Sequence, residues 1–244
     1  MTDLSANFPI RQWVCVPCGY NMIGEMPDVC PFCGERHDTF VSWELAEETY
    51  RVASRPIVEG VTQLRSEPRL GYEHAAYRVE TAEGAVWIDC PAAFNRTLEP
   101  VDDIFFTHKD FMGASNQYRA QWGSRIHIHE AETRSPLATQ FTVDDAFTGD
   151  FTYRDIEAFH IGGHTEGFTV YFHGDVLFAC DYAFPGNRAM RLNPYSDKAE
   201  MAAKGGRLMD LVHERKPSVV TGFNYAVDGA DWTGWFETAM KRAA

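Results

Sequence analysis

The sequence lacks the features that would place the protein in a membrane or on a nucleic acid. No run approaches the roughly 18–20 apolar residues of a membrane-spanning helix, and the start, MTDLSANFPIRQW, lacks the charged-then-apolar pattern of a secretory signal. Positive charge is scarce: 22 Lys and Arg against 35 Asp and Glu give a net charge of −13, which argues against nucleic acid or an anionic membrane as partner. We therefore expect a cytoplasmic protein that acts on a small-molecule substrate.

Cysteine is also scarce, but its placement is informative. Four of the six cysteines form two C-x2-C pairs near the N-terminus: Cys15, Cys18, Cys30 and Cys33. In a reducing compartment, closely paired cysteines suggest metal ligation rather than disulfides. The glycine after each pair, Gly19 or Gly34, supplies the positive φ that a tight turn around a metal requires. Two such turns make a tetrahedral four-sulfur site, which suits zinc or a single iron.

These turns resemble those of rubredoxin over roughly residues 11–43. The shared features are C-x-x-C-G-Y, C-P-x-C-G, a loop glycine at Gly24, and aromatic residues at Trp13, Tyr20 and Phe32. The resemblance implies one iron that passes electrons by cycling between its ferric and ferrous forms. A zinc ribbon that only holds the N-terminus together is the alternative, and the cysteines alone do not separate iron from zinc. We expect a rubredoxin-like four-cysteine domain over residues 1–45 and a larger domain over residues 46–244.

Strand-like and helix-like segments intermingle in the larger domain and indicate a mixed α/β fold of packed layers. Thr81-Ala-Glu-Gly84 is typical of a hairpin turn. The predicted strands are Glu73–Glu80, Ala85–Asp89, Ile104–Thr107, Ile126–His129, Ile156–Ile161, Phe168–His173, Val176–Cys180 and Ser218–Thr221. The predicted helices are Ala114–Trp122, Lys198–Glu214 and Thr233–Arg242. His127 and His129 alternate in the manner of a surface strand.

Three apolar strands are each followed at once by residues that bind metals. His108 and Asp110 come after Ile-Phe-Phe-Thr, His164 follows a Gly-Gly turn, and Asp181 follows Val-Leu-Phe-Ala-Cys. Residues just past the ends of neighbouring strands can converge at one edge of a sheet, where loops often carry function. The pattern therefore predicts a metal site.

Four segments of the larger domain resemble the metallo-β-lactamase fold over about residues 50–225. They are AVWIDCPAAF, THKDFMG, GGHTEGFTVYF and FACDYAF. The resemblance implies an αββα sandwich with a metal site at one edge. This chain departs from the pattern at three ligand positions: Phe106 and Phe111 stand where histidines are expected, and Gly222-Phe-Asn stands where the last histidine would lie. Phenylalanine cannot coordinate a metal, so a two-metal hydrolytic site is not expected.

His108, His164 and Asp181 remain for one ion. Two imidazoles and one carboxylate with open positions form the facial triad of mononuclear non-heme Fe(II) enzymes, and the pattern is similar to that of the persulfide dioxygenases within this fold. We expect Fe(II) there, with zinc as the alternative. Because no second ion is expected, we assign Asp110 as a hydrogen-bond acceptor near the metal or as a proton-handling group. The resemblance places Tyr182 among the candidate catalytic residues of the pocket.

Three functions stay open from the sequence. The first is a rubredoxin-coupled mononuclear non-heme iron oxidoreductase of dioxygenase or oxygenase type. The second is a single-zinc hydrolase of lactone or thioester type, and the third is a metal-free scaffold that serves electron transfer or partner binding through its cysteines. For the first function, an electron-donating reductase is a candidate partner. Electron transfer between the subunits of a homodimer is the alternative if the two metal sites of one chain lie far apart.

Overall fold

The computed structural model describes residues 10–186 and 189–243, which form two compact units divided between Phe147 and Thr148. Each unit contains its own sheet. Among the described residues, no helix has both the length and the apolar character needed to cross a membrane. The boundary expected at residues 45 and 46 stays a prediction.

The first unit begins with a three-stranded sheet that carries the cysteines. Its strands are β1 (Gln12–Cys15), β2 (Asn21–Ile23) and β3 (Phe40–Ser42), in the order β2-β1-β3. A 3-10 turn, His37–Thr39, leads into β3, and helix α1 (Trp43–Thr49) follows with the Ser42 hydroxyl accepting a hydrogen bond from the Leu45 amide at its start. Residues Phe40–Ser42, within the domain expected over residues 1–45, therefore supply the third strand of this sheet.

The rest of the first unit is a seven-stranded sheet whose strands follow chain order. Strands β4 to β7 are antiparallel, and β7 to β10 are parallel. The elements are β4 (Arg51–Val58), β5 (Val61–Glu67), β6 (Ala76–Thr81), β7 (Gly84–Ile88), β8 (Asp103–Phe105), α2 (Ser115–Trp122), β9 (Arg125–His129), a 3-10 turn (Glu130–Arg134) and β10 (Asp145–Phe147). Because β7 and β8 are parallel, the residues that follow them lie at the same edge of the sheet.

The second unit is a six-stranded sheet with two long helices. Its strand order is β11-β12-β13-β14-β17-β18, with a separate β15–β16 pair. The elements are β11 (Phe151–Tyr153), β12 (Ile156–His160), β13 (Thr169–His173), β14 (Val176–Phe178), β15 (Ala183–Pro185), β16 (Met190–Leu192), α3 (Lys198–Arg215), β17 (Val219–Thr221), β18 (Ala226–Asp228) and α4 (Gly229–Ala243). Helix α3 is the crossover between the parallel strands β14 and β17, as a parallel pair requires.

Local sequence explains where the two long helices begin. The Asp197 carboxylate accepts a hydrogen bond from the Glu200 amide at the start of α3, as an N-cap does. Helix α4 starts four residues before its predicted position because the Asp228 carboxylate accepts from the amides of Ala230 and Asp231. Its buried residues Trp232, Phe236 and Ala239 recur at helical spacing.

Candidate metal centres

The four paired cysteines come together in the first unit. Their sulfur atoms all lie within 4.8 Å of one another, and Cys15–Cys33 and Cys18–Cys30 are both separated by 3.7 Å. Sulfurs bound about 2.3 Å from one tetrahedral ion lie about 3.8 Å apart. These four residues, which we call the cysteine cluster, therefore fit a four-thiolate metal site of rubredoxin-like type.

The turns around the sulfurs have the predicted conformation. Gly19 and Gly34 adopt φ of 83° and 79°, and their amides donate to the carbonyls of Cys15 and Cys30. Hydrogen bonds with Cys15 and Cys18 lower the pKa of the Cys30 thiol, whereas hydrogen bonds with Cys15 and Cys30 raise the pKa of the Cys18 thiol. Closely packed thiols oppose one another's ionisation, and a bound cation favours the thiolate form of all of them.

The cysteine cluster is packed directly onto the loop of residues 68–75, between β5 and β6. A side chain added at Gly71, whose φ is 53°, would lie 2.4 Å from the Pro17 carbonyl oxygen and 2.7 Å from the Cys18 amide nitrogen. On the other side of this loop, the buried Glu73 carboxylate accepts hydrogen bonds from the amides of Ser66 and Ala92. The loop is therefore held between the first cysteine turn and the large sheet.

His108 follows β8 and is oriented by a hydrogen-bond relay. The Thr107 hydroxyl lies 3.0 Å from both Asp89 carboxylate oxygens and 3.0 Å from His108 Nδ1. A hydroxyl has one proton, which it donates to the carboxylate, so it accepts from His108 Nδ1–H. This tautomer leaves a lone pair on Nε2, the state needed for metal binding.

Asp110 lies beside His108 in the same loop. One carboxylate oxygen, Oδ2, is 3.6 Å from His108 Nε2, and Oδ1 is 3.3 Å from Lys109 Nζ. Lys109 also donates its backbone amide to the buried Glu132 carboxylate. Asp110 therefore lies beside the nitrogen that a metal would use, and its proton-handling role stays a prediction.

A histidine that the sequence interpretation missed belongs to this neighbourhood. His74 is buried, its ring centroid lies 4.1 Å from that of Phe111 and 5.4 Å from that of His108, and Phe32 packs edge to face on the other side of Phe111 at 4.7 Å. The predicted strand begins at Glu73, but β6 begins at Ala76, so His74 lies in a loop. Four rings, Phe32, Phe111, His74 and His108, therefore form a continuous series in the first unit; we call it the ring series.

In the second unit, the structure brings His164 and Asp181 together. His164 Nε2 is 3.3 Å from Asp181 Oδ2, and its Nδ1 is 2.6 Å from the Ser196 hydroxyl. Ligands about 2.1 Å from one ion lie roughly 3.0–3.4 Å apart, so this pair fits two positions on a metal.

Asn193 fixes the Asp181 side chain. Its amide nitrogen donates to Asp181 Oδ2 at 3.0 Å and to the Asp181 carbonyl at 3.1 Å. Its amide oxygen accepts from the Tyr195 backbone amide, which determines which end of the amide faces Asp181. Sequence reasoning did not select Asn193 or Ser196, because both lie beyond the short β15–β16 pair.

The remaining sequence expectations have mixed outcomes. Tyr182 is buried in the apolar core of the second unit, with its hydroxyl donating to the Met201 carbonyl, and burial raises its pKa; a catalytic role stays a prediction.

His127 and His129 do not lie on a surface strand: both are buried, and His127 Nε2 lies 2.7 Å from Asp103 Oδ1. Polar residues that alternate along a strand are typical of a strand with one exposed face, but both faces of β9 are covered.

Comparison with solved structures identifies the fold. FIM-1, a metallo-β-lactamase from Pseudomonas aeruginosa in a mono-zinc form, superposes with a TM-score of 0.64 at 16% identity, covering 90% of this chain and 99% of that one. VMB-1 gives 0.61 at 15% identity over 79% and 98%. TTHA1623 in a di-iron-bound form gives 0.53 at 21% identity over 66% and 93%. This chain therefore has the metallo-β-lactamase fold. No family model and no curated protein matches it.

Proposed function

We propose that the protein is a rubredoxin-coupled mononuclear non-heme iron oxidoreductase that uses O2. One iron is bound by the four cysteines, and one Fe(II) is bound by His108, His164 and Asp181. Inclusion of His108 with the other two ligands rests on the sequence resemblance to the metallo-β-lactamase fold. A second-site iron supplies redox chemistry and open coordination positions, as a triad of two histidines and one carboxylate does.

The observation that carries this proposal is the ring series of the first unit. Phe32 lies between Cys30 and Cys33 in the chain, and its ring contacts Phe111. Phe111 in turn contacts His74, and His74 neighbours His108. The centroids of successive rings are at most 5.4 Å apart. Electron transfer between two metal sites requires a short distance between them. The series brings the second cysteine turn close to His108, which supports transfer within one chain rather than between subunits.

The residues around His108 and His164 have defined tasks in this proposal. Thr107 and Asp89 hold His108 in the tautomer with Nε2 available. Asp110 Oδ2 takes up and returns protons near that nitrogen. Phe111, buried where one of the fold's other histidines is expected, packs on His74 and excludes water near His108. Phe106, at another such position, is buried in the apolar core of the first unit. A reductase is the expected electron donor, and Cys33, the exposed member of the cysteine cluster, is where it would approach.

Metal analysis and rapid kinetics test the proposal. Protein purified without added metal should be red and contain iron at both sites. Cys30→Ser should lose the red colour but keep the iron of the second site. His108→Ala should keep the red colour but lose the iron of the second site. After anaerobic reduction, O2 should reoxidise the cysteine-bound iron of the wild type much faster than that of His108→Ala.

Other outcomes would contradict the proposal. Colourless protein with zinc at both sites would favour the lactone or thioester hydrolase, which can be assayed directly. Metal at the cysteines alone would favour the scaffold. Equal reoxidation rates in wild type and His108→Ala would show that the two sites do not communicate.

A further inference from the structure

We propose that His74 is an additional ligand of the ion bound by His108. This inference rests on the proposed second metal site and adds a residue that lies outside every motif of the sequence. His74 is carried by the loop of residues 68–75, which contacts the cysteine cluster.

The distance between the two imidazoles fits two ligands of one ion. Their ring centroids are 5.4 Å apart, and each ring offers a nitrogen within 4.8 Å of one on the other. Two imidazoles bound through nitrogens about 2.1 Å from one tetrahedral ion have centroids about 5 Å apart. Offset stacking would make the two ring planes nearly parallel and edge-to-face packing would make them nearly perpendicular, but the planes meet at 37°.

His74 also lies next to a position where the chain has lost a ligand. Phe111 stands where the metallo-β-lactamase pattern has a histidine, and the His74 ring packs on Phe111 with centroids 4.1 Å apart. A histidine from a different loop thus reaches the same neighbourhood as the missing one. The substitution at residue 111 removes one imidazole, and residue 74 restores one from another direction.

The backbone of the loop of residues 68–75 is anchored, as the position of a metal ligand requires. Glu73, the preceding residue, accepts hydrogen bonds from the Ser66 amide and hydroxyl and from the Ala92 amide. Gly71 is pressed against Pro17 and Cys18. A ligand must hold its place before the metal arrives, and both anchors fix the backbone that leads into residue 74.

If His74 is a ligand, the ring series leads from the second cysteine turn to a residue that binds the second metal. His74 contacts Phe111, and Phe111 contacts Phe32 beside the cysteines. If His74 binds the ion, the rings connect one metal site to a ligand of the other. The loop that the first cysteine turn holds in place then also sets the geometry of the second site.

Two variants of residue 74 test the inference. His74→Phe keeps an aromatic ring against Phe111 but offers no ligand atom, and His74→Ala removes both. The probe is Co²⁺, titrated into metal-free protein whose cysteine cluster has been refilled with zinc. Both variants should bind second-site Co²⁺ more than about 100-fold more weakly than wild type, beyond the loss expected for an outer-sphere partner, with an altered visible Co²⁺ spectrum.

The controls separate this inference from the proposed function. His213→Ala, at an exposed histidine of α3, should leave Co²⁺ affinity and spectrum unchanged, and the zinc content of the cysteine cluster reports whether each variant is folded. If His108→Ala abolishes second-site Co²⁺ but His74→Phe keeps wild-type affinity and spectrum, His74 is a packing residue and this inference is wrong. If wild type binds Co²⁺ nowhere beyond the cysteines, the proposed function fails with it.

Discussion

The Phe32 ring meets the Phe111 ring edge to face, with their centroids 4.7 Å apart. Phe32 belongs to the second cysteine turn, and Phe111 follows the His108 loop. This contact is the place where the cysteine cluster and the loop of His108 meet. It can be altered without replacing any proposed ligand.

We expect Phe111→Leu to slow reoxidation of the reduced cysteine-bound iron by O2 several-fold, with both metals retained. Leucine fills most of the volume but breaks the ring series, and we expect a loss of unfolding free energy of about 1–2 kcal/mol. The matched control is Phe94→Leu, because Phe94 is a buried ring that packs on Trp43 and Tyr118, away from the series. Equal slowing in both variants would mean that general loosening, not the ring contact, controls the rate.

The relay from Asp89 through Thr107 to His108 gives a second prediction. Thr107→Val keeps the shape but removes the hydroxyl that accepts from His108 Nδ1–H, so we expect second-site metal affinity to fall about 10–100-fold. Thr107→Ser keeps the hydroxyl and should restore affinity. Metal titration monitored by the Co²⁺ spectrum measures both. Similar weakening in the serine variant would argue that the methyl group, not the relay, matters.

Gly71 gives a third prediction, which concerns the loop that carries His74. Gly71→Ala places a methyl group 2.4 Å from the Pro17 carbonyl oxygen at a positive φ. Gly174→Ala is the matched control: its φ is 56°, and nothing lies within 4 Å of the added carbon. The control should lose about 1–2 kcal/mol from backbone strain alone, whereas Gly71→Ala should lose more and release the metal of the cysteine cluster to a chelator faster. Equal losses of unfolding free energy in the two variants would mean that the loop of residues 68–75 shifts to accommodate the methyl group at residue 71 without further cost.

Local patterns were enough to predict the parts of the molecule that depend on neighbouring residues. The glycines after Cys18 and Cys33 have the expected positive φ, the Thr81–Gly84 turn closes β6 and β7, and three of the helices lie where apolar spacing placed them. His164 and Asp181 also meet, because each follows a strand of one sheet. In these cases the information lies within a few residues of the feature.

Contacts between distant parts of the chain were not predictable from one sequence. EHAAYRVE has a strand-like composition throughout, and only the hydrogen bonds of Glu73 with Ser66 and Ala92 show that its first residues form a loop. His74 therefore looks like a strand residue and not like a neighbour of His108. Asn193 meets Asp181 only through the fold of the β15–β16 pair. No local pattern signals either contact.

The Arg119–Asp144 pair gives a prediction about pH. Asp144 accepts two hydrogen bonds from the Arg119 guanidinium and one from the Ile126 amide, which ties α2 to β9. Burial opposes ionisation, but the hydrogen bonds from Arg119 prevail and hold the pKa of Asp144 below its ordinary value. A carboxyl group whose pKa is lowered on folding stabilises the folded state above its unfolded pKa, near 4, and loses that contribution as pH falls through the lowered value.

We therefore expect Asp144→Asn to reduce the free energy of unfolding by about 1–2 kcal/mol at pH 7. The difference from wild type should shrink as the pH falls below about 4, because protonation then removes the same charge from the wild-type side chain. Urea unfolding at a series of pH values measures it. Glu130→Gln, in the exposed pair with Arg134, is the control and should change stability by less than about 0.5 kcal/mol at every pH. A difference for Asp144→Asn that stays constant down to about pH 3 would show that lost packing, not charge, accounts for the effect.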